Sequence, residues 1–317
     1  MVRNARPVDC PAIPFPPSTA TESDGTPVSG LVAVTYATWV RVLSELARMV
    51  PFLGETASTG CLRRIRLAAA EALGRIEEGI IHGSVQPFSS IRVSPDAPQP
   101  PLTPTAPRIG VLPLASSPFE WSHLLAGLAA VAQLQLDHVV YIVTENPGRN
   151  ASLLPREMRH EMTRRTLEKF PPLLLYSPIG LSAEGAGLLS VFSLLRLNAF
   201  QPMEMFLITG GLESRLGELP SARVREEIRA SMADPANGYD DSMHPLSLVV
   251  SRAGHAALPV ARSPAIVPLD FPMPSALPGA IPAALSGETG RDVLAALPYT
   301  AFRHMRRLRV HAAAQTA

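Results

Sequence analysis

The chain has 317 residues, a formal net charge of +1, 46% hydrophobic residues and 17% charged ones. This is enough apolar material for one large or two ordinary domains around a sizeable core. The near-neutral balance removes the electrostatic case for nucleic acid or an anionic membrane surface as a partner. Cys10 and Cys61 are the only cysteines. Neither has metal-ligand spacing, and one pair makes no disulfide framework, so a reducing, cytoplasmic location is expected. The first 30 residues show no apolar core of a signal peptide, and the apolar run 124–136 is interrupted by Gln133 and Gln135, so no membrane span is expected. Lys169 is the only lysine. No lysine is therefore placed for a P-loop, a Schiff base or a kinase-type phosphate anchor, which leaves arginine, histidine, hydroxyls and backbone amides for any phosphate.

Residues 1–30 are rich in Pro, Ser and Thr and read as a disordered leader. Apolar residues at helical spacing predict helices over 32–49 and 59–81, together a helical hairpin within 31–82. Residues 83–107 read as a Pro-rich extended linker, with six prolines between Pro95 and Pro107. From 108 to 317 strand and helix patterns alternate. Strands are expected over 109–114, 138–143, 173–176, 205–208 and 246–251, and helices over 123–136, 155–170, 184–197 and 223–233. Near-continuous apolar strands separated by helices predict an α/β domain, a Rossmann-like, mainly parallel sheet with helices on both faces. Ligands of such sheets sit beyond the carboxyl ends of the strands, at the switch point.

Two stretches carry chemistry. RIGVLPLASSPFEWSHL, from Arg108 to Leu124, is a buried strand, a small-residue turn with Pro118, and a helix opened by His123. LSGETGRDVL, from Leu285 to Leu294, is a hydroxyl- and glycine-rich turn with Arg291 at the start of a helix. Turns of this kind aim backbone N–H groups and cationic side chains at a polyphosphate.

The order of five short motifs resembles the nicotinate/nicotinamide mononucleotide adenylyltransferases of the HIGH-type nucleotidylyltransferase superfamily. In that family's G-x-F-x-P-x-H-x-G-H-L motif, Pro118, His123 and Leu124 match here. Glu120 stands at the first histidine, Ser122 at the second glycine, Leu114 at the leading glycine and Ser116 at the aromatic. Pro155, Arg159 and Met162 fall on a P-x-x-x-R-x-x-M helix, preceded by Arg149 in the substrate loop. FLITGG resembles a strand ending in a Gly-Ala-Asp turn, with Gly210 and Gly211 at its end, and LSLVVSRAG keeps Arg252 and Gly254 of an Arg-Pro-Gly ending. Ser286 and Arg291 match the closing I-S-S-T-x-I-R motif, in which Gly287 and Glu288 are replacements.

The resemblance implies adenylyl transfer from ATP, bound with Mg²⁺, to a pyridine mononucleotide, giving a dinucleotide and pyrophosphate. It implies catalytic roles for His123 and Arg291. Nucleotide or phosphate contacts would come from Leu112, Pro118, Glu120, Ser122, Gly210, Gly211, Arg252, Ser286 and Gly287. Trp121, Arg149 and Arg159 would meet the second substrate, and no protein metal site is implied. Glu120 is the sharpest departure, because a carboxylate beside a triphosphate is repelled unless a cation lies between them. One alternative is a catalytically degenerate nucleotide-binding or scaffold protein, with the hairpin and linker as its interaction module. Another is a related transferase acting on phosphopantetheine or a CTP-using lipid precursor. A homo-oligomer is left open.

Overall fold

The computed structural model describes residues 28–53, 57–144, 154–182, 190–209, 230–235, 239–240, 242–252, 266–270 and 291–315. Two long helices come first, α1 (Val28–Met49) and α2 (Ala57–Ile81). Alternation then begins with β1 (Arg108–Leu114), α3 (Trp121–Leu134), β2 (His138–Val143), α4 (Arg156–Leu167) and β3 (Leu174–Ser177). It continues with α5 (Ser190–Leu197), β4 (Glu204–Thr209), β5 (Leu246–Arg252), β6 (Ile266–Asp270) and a last helix, α6 (Tyr299–Gln315). Among the described residues no helix is long and apolar enough to cross a membrane.

All pairings are parallel, and the strand order is β3-β2-β1-β4-β5-β6. The mainly parallel, Rossmann-like sheet expected from the alternation is present. Its two faces follow from the two-residue period of a strand. Leu112, Leu114, Tyr141, Phe206 and Ile208 share a core with α1, α2, α3 and α6. Ile109, Val111, Val140, Ile142 and Leu207 face the other way, into a core shared with α5. The strand β6 is absent from the sequence expectation because Pro268 and the neighbouring prolines read as coil. It lies at the edge of the sheet, where a residue without an N–H is tolerated.

The helix α3 explains why the hairpin is where it is. Eleven of its fourteen residues are buried, too many for a helix that touches only a sheet. It lies between the sheet and α2, and Ile65, Ala69, Leu73 and Ile76 of α2 belong to the same core as Leu124, Leu128 and Val131 of α3. Residues in the first part of the expected extended linker are tied to the domain. The Gln86 N–H donates to Asp137 Oδ1 at 2.6 Å, Asn198 bridges the Arg92 N–H and C=O, and Ile91 and Val93 pack on the second core. The lone lysine has a structural occupation. Lys169 pairs with buried Glu45 of α1, whose other oxygen accepts the Thr300 N–H of α6 at 2.7 Å.

Gly127 lets α3 close on β2. A Cβ there would fall 1.9 Å from the Tyr141 hydroxyl, which donates to the His123 carbonyl at 2.9 Å. Gly127→Ala should therefore destabilise by ~1–3 kcal/mol through overpacking. Gly74→Ala in α2, where nothing lies within 4 Å of the added carbon, should instead stabilise by up to ~1 kcal/mol through helix propensity. Urea unfolding of the two variants checks the opposite signs; equal shifts would contradict this account of α3.

Candidate functional site

The site grows from the end of β1. In a parallel strand, alternate residues turn their N–H and C=O to opposite neighbours. The Leu114 carbonyl accepts from Thr144 beyond β2, so Pro113 faces β4. The β1–β4 ladder stops at Val111 and Leu207, two residues earlier. Pro113 has no N–H with which to continue it. The two strands thus part where the strand order reverses, the place at which doubly wound sheets hold ligands.

The turn that follows is docked on α4. Ser116 has a left-handed backbone (φ 53°), rare for a residue with a side chain, and its hydroxyl hydrogen-bonds the Thr163 hydroxyl. The Leu154 N–H donates to Ser117 Oγ at 2.8 Å. Arg159, 3% exposed, donates to three backbone carbonyls, Ala115 at 2.7 Å, Thr144 at 2.9 Å and Leu154 at 3.0 Å. The arginine expected to meet substrate is therefore spent on holding β1, β2 and the start of α4 together. Met162, its partner in the helix pattern, is in the core.

Glu120 is the N-cap of α3 and forms a capping box with His123, which takes the position usual for Glu or Gln. The Glu120 N–H donates to His123 Nδ1 at 2.9 Å, and Ser122 Oγ donates to the Glu120 carboxylate at 3.4 Å. Nδ1 is thus an acceptor, so the neutral ring carries its proton on Nε2. Burial pushes the His123 pKa down to about 4. Among the described residues Nε2 has no hydrogen-bond partner. The ring packs against Phe119, with centroids 5.4 Å apart.

Trp121, expected to meet the second substrate, is instead wholly enclosed in the core between α3 and its neighbours. Its indole N–H finds no partner among the described residues. Leu112 and Pro118 are buried too, the former with its side chain in the first core. Arg252 ends β5, beside Asp270 at the end of β6 in register. Arg291 begins a short 3-10 helix, Arg291–Ala296, that lies against α2. Arg149, Gly210, Gly211, Ser286 and Gly287 lie outside the described residues. Pro113, Ser117 and Thr163, to which the sequence pattern assigned no role, shape the turn together with Ser116. Small hydroxyls in a turn, and a threonine one helical turn after Arg159, were the available signal. Among the described residues no group of three His, Cys, Asp or Glu side chains gathers to hold a metal ion.

No protein-family model matches the chain, and no curated protein matches it either.

Two outcomes follow from this geometry. Arg159→Lys keeps the charge but loses the guanidinium fork, leaving buried carbonyls short of donors, and should cost about 2–4 kcal/mol in urea unfolding. A loss under ~0.5 kcal/mol would show that the clamp holds little. His123 favours its neutral form in the fold, with a pKa near 4 against an ordinary 6.5. Its contribution, on the order of 3 kcal/mol, is present above pH 6.5 and lost as pH falls toward 4. Imidazole ¹⁵N spectra should show the Nε2–H tautomer from pH 7 down to about pH 4. Protonation near pH 6.5 would contradict the burial argument.

Proposed function

We propose that the chain is a nucleotidylyltransferase that transfers the adenylyl group of ATP to nicotinamide or nicotinate mononucleotide. The observation that carries this reading is His123, a neutral Nε2–H donor in the first turn of α3, at the end of the turn that follows β1. A mononucleotide phosphate oxygen would attack the α-phosphorus of ATP as the bond to pyrophosphate breaks. Such a reaction asks the protein for alignment and for donors that meet the charge moving onto the leaving group. His123 would supply one such donor without first giving up a proton. Arg291, Ser286 and the Gly287 amide would take the β- and γ-phosphates, and Arg149 the mononucleotide, as the family resemblance implies. Mg²⁺ would enter bound to ATP, since the turn itself carries only the Glu120 carboxylate.

A second reading rests on Glu120. Its carboxylate caps α3 and so answers the partial positive charge that would otherwise attract a phosphate. On this reading the fold binds a nucleotide, or serves as a scaffold, without turnover.

Pyrophosphate release from ATP–Mg²⁺ with each mononucleotide tests the first reading, together with two variants. His123→Ala should lower turnover by ~10²-fold, the usual loss for one preorganised donor. Glu120→Gln, which keeps shape and removes charge, should tighten ATP binding by about tenfold or more if the carboxylate repels the triphosphate. No release by the wild type, with ATP still binding in titration calorimetry, selects the second reading. Release that His123→Ala leaves unchanged overturns the role given to His123.

A further inference from the structure

A cavity of about 410 Å³ opens between α1, the end of α4 and the first half of α6. It lies past the part of α4 on which the β1–α3 turn is docked. Its walls carry the cations Arg48, Arg165, Lys169, Arg303 and Arg307 against one carboxylate, Glu168. Some of this charge is already matched. Lys169 pairs with Glu45, Arg165 with Glu161, and Glu168 with Arg164. Arg303 and Arg307, one turn apart on α6, meet no carboxylate among the described residues. Arg48 likewise meets none there; its guanidinium lies 5.9 Å from the centre of the Tyr299 ring.

Among the described residues, three guanidinium groups without counter-ions thus border one concavity. Guanidinium groups that line one cavity repel one another, and an anion between them relieves the repulsion. Guanidinium forks match phosphate oxygens two at a time, and Tyr299 and Thr300 on the same wall offer a ring and a hydroxyl. His304 borders the cavity too; burial, with Arg165 and Arg307 adding to it against Glu161, holds its pKa below the ordinary value. The volume is of the size that takes a small ligand, roughly 300–1,000 Å³.

We propose that this cavity binds a compact ligand bearing two or more phosphate groups, through Arg48, Arg303 and Arg307. The site is separate from the β1–α3 turn and does not depend on adenylyl transfer. A ligand there would tie α6 to α1 and α4, the three helices already joined by Glu45, Lys169 and Thr300. A soluble polyphosphate and the headgroup of a phosphorylated lipid share this chemistry.

The test is calorimetric titration of the full chain with inorganic tripolyphosphate in phosphate-free buffer. Binding should persist in His123→Ala, which leaves the cavity intact, and weaken at least about tenfold in R303E/R307E. If the double reversal does not fold, R303Q/R307Q serves for the same comparison, with an unchanged Tm as control. Co-sedimentation with phosphatidylcholine vesicles containing phosphatidylinositol bisphosphate separates the sources. Pelleting that R303E/R307E abolishes assigns a lipid headgroup; tripolyphosphate binding without pelleting assigns a soluble ligand. Equal affinity in the wild type and the folded double variant, or no tripolyphosphate binding once His123 is replaced, overturns the proposal.

Discussion

At the carboxyl end of the sheet the ladders run out while the chain is still buried, and the carbonyls left there need donors. Arg159 meets that need. One guanidinium group binds the carbonyls of Ala115 and Thr144, which follow β1 and β2, and that of Leu154 ahead of α4. A buried cation with three backbone acceptors is satisfied where an isolated one would be prohibitive. The position of the β1–α3 turn follows from it. With Ala115 held, Ser116 and Ser117 reach Thr163 and Leu154, and α3 starts where Glu120 and His123 can cap each other.

The second dependence is the enclosure of α3. A helix apolar all round must find two apolar surfaces, and α2 supplies the one the sheet does not. The amino-terminal hairpin is thereby part of the same core as the sheet. The segment after it crosses to the second core, where Ile91 and Val93 pack, and Asn198 and Gln201 hold its backbone. Closing the first face in this way buries the turn as well. Trp121 becomes an interior residue and His123 is left 6% exposed, and burial, rather than a charged neighbour, keeps the imidazole neutral.

Much of this was legible in the sequence. Alternating apolar strands and helices implied the parallel sheet, and helical periodicity implied the hairpin. The all-round apolarity of WSHLLAGLAAVAQL was also visible, yet its consequence, a second covering helix, depends on packing that no local pattern states. Pro268 hid β6, because a proline is readable as a strand residue only once its place at the sheet edge is known. At the turn, motif spacing singled out His123, Glu120 and Arg159, but not their occupations. That Arg159 would bind three carbonyls and that Glu120 would cap against His123 follow from distances across 5 to 44 residues of chain for the arginine, and from backbone angles for the cap. Prolines in the 95–107 stretch implied an extended linker, and the chain just before it is fastened by Asp137, Asn198 and Ser177.

The proposed function requires nucleotide phosphates to meet the turn between β1 and α3. Chemical-shift mapping on addition of ATP–Mg²⁺ tests it most directly. The largest changes should fall on the backbone amides of residues 115–123 and on the His123 imidazole Nε2, with the Nδ1 bond to the Glu120 N–H retained. Changes confined to α4 and α6 around Arg303 and Arg307, or none at all, would contradict it.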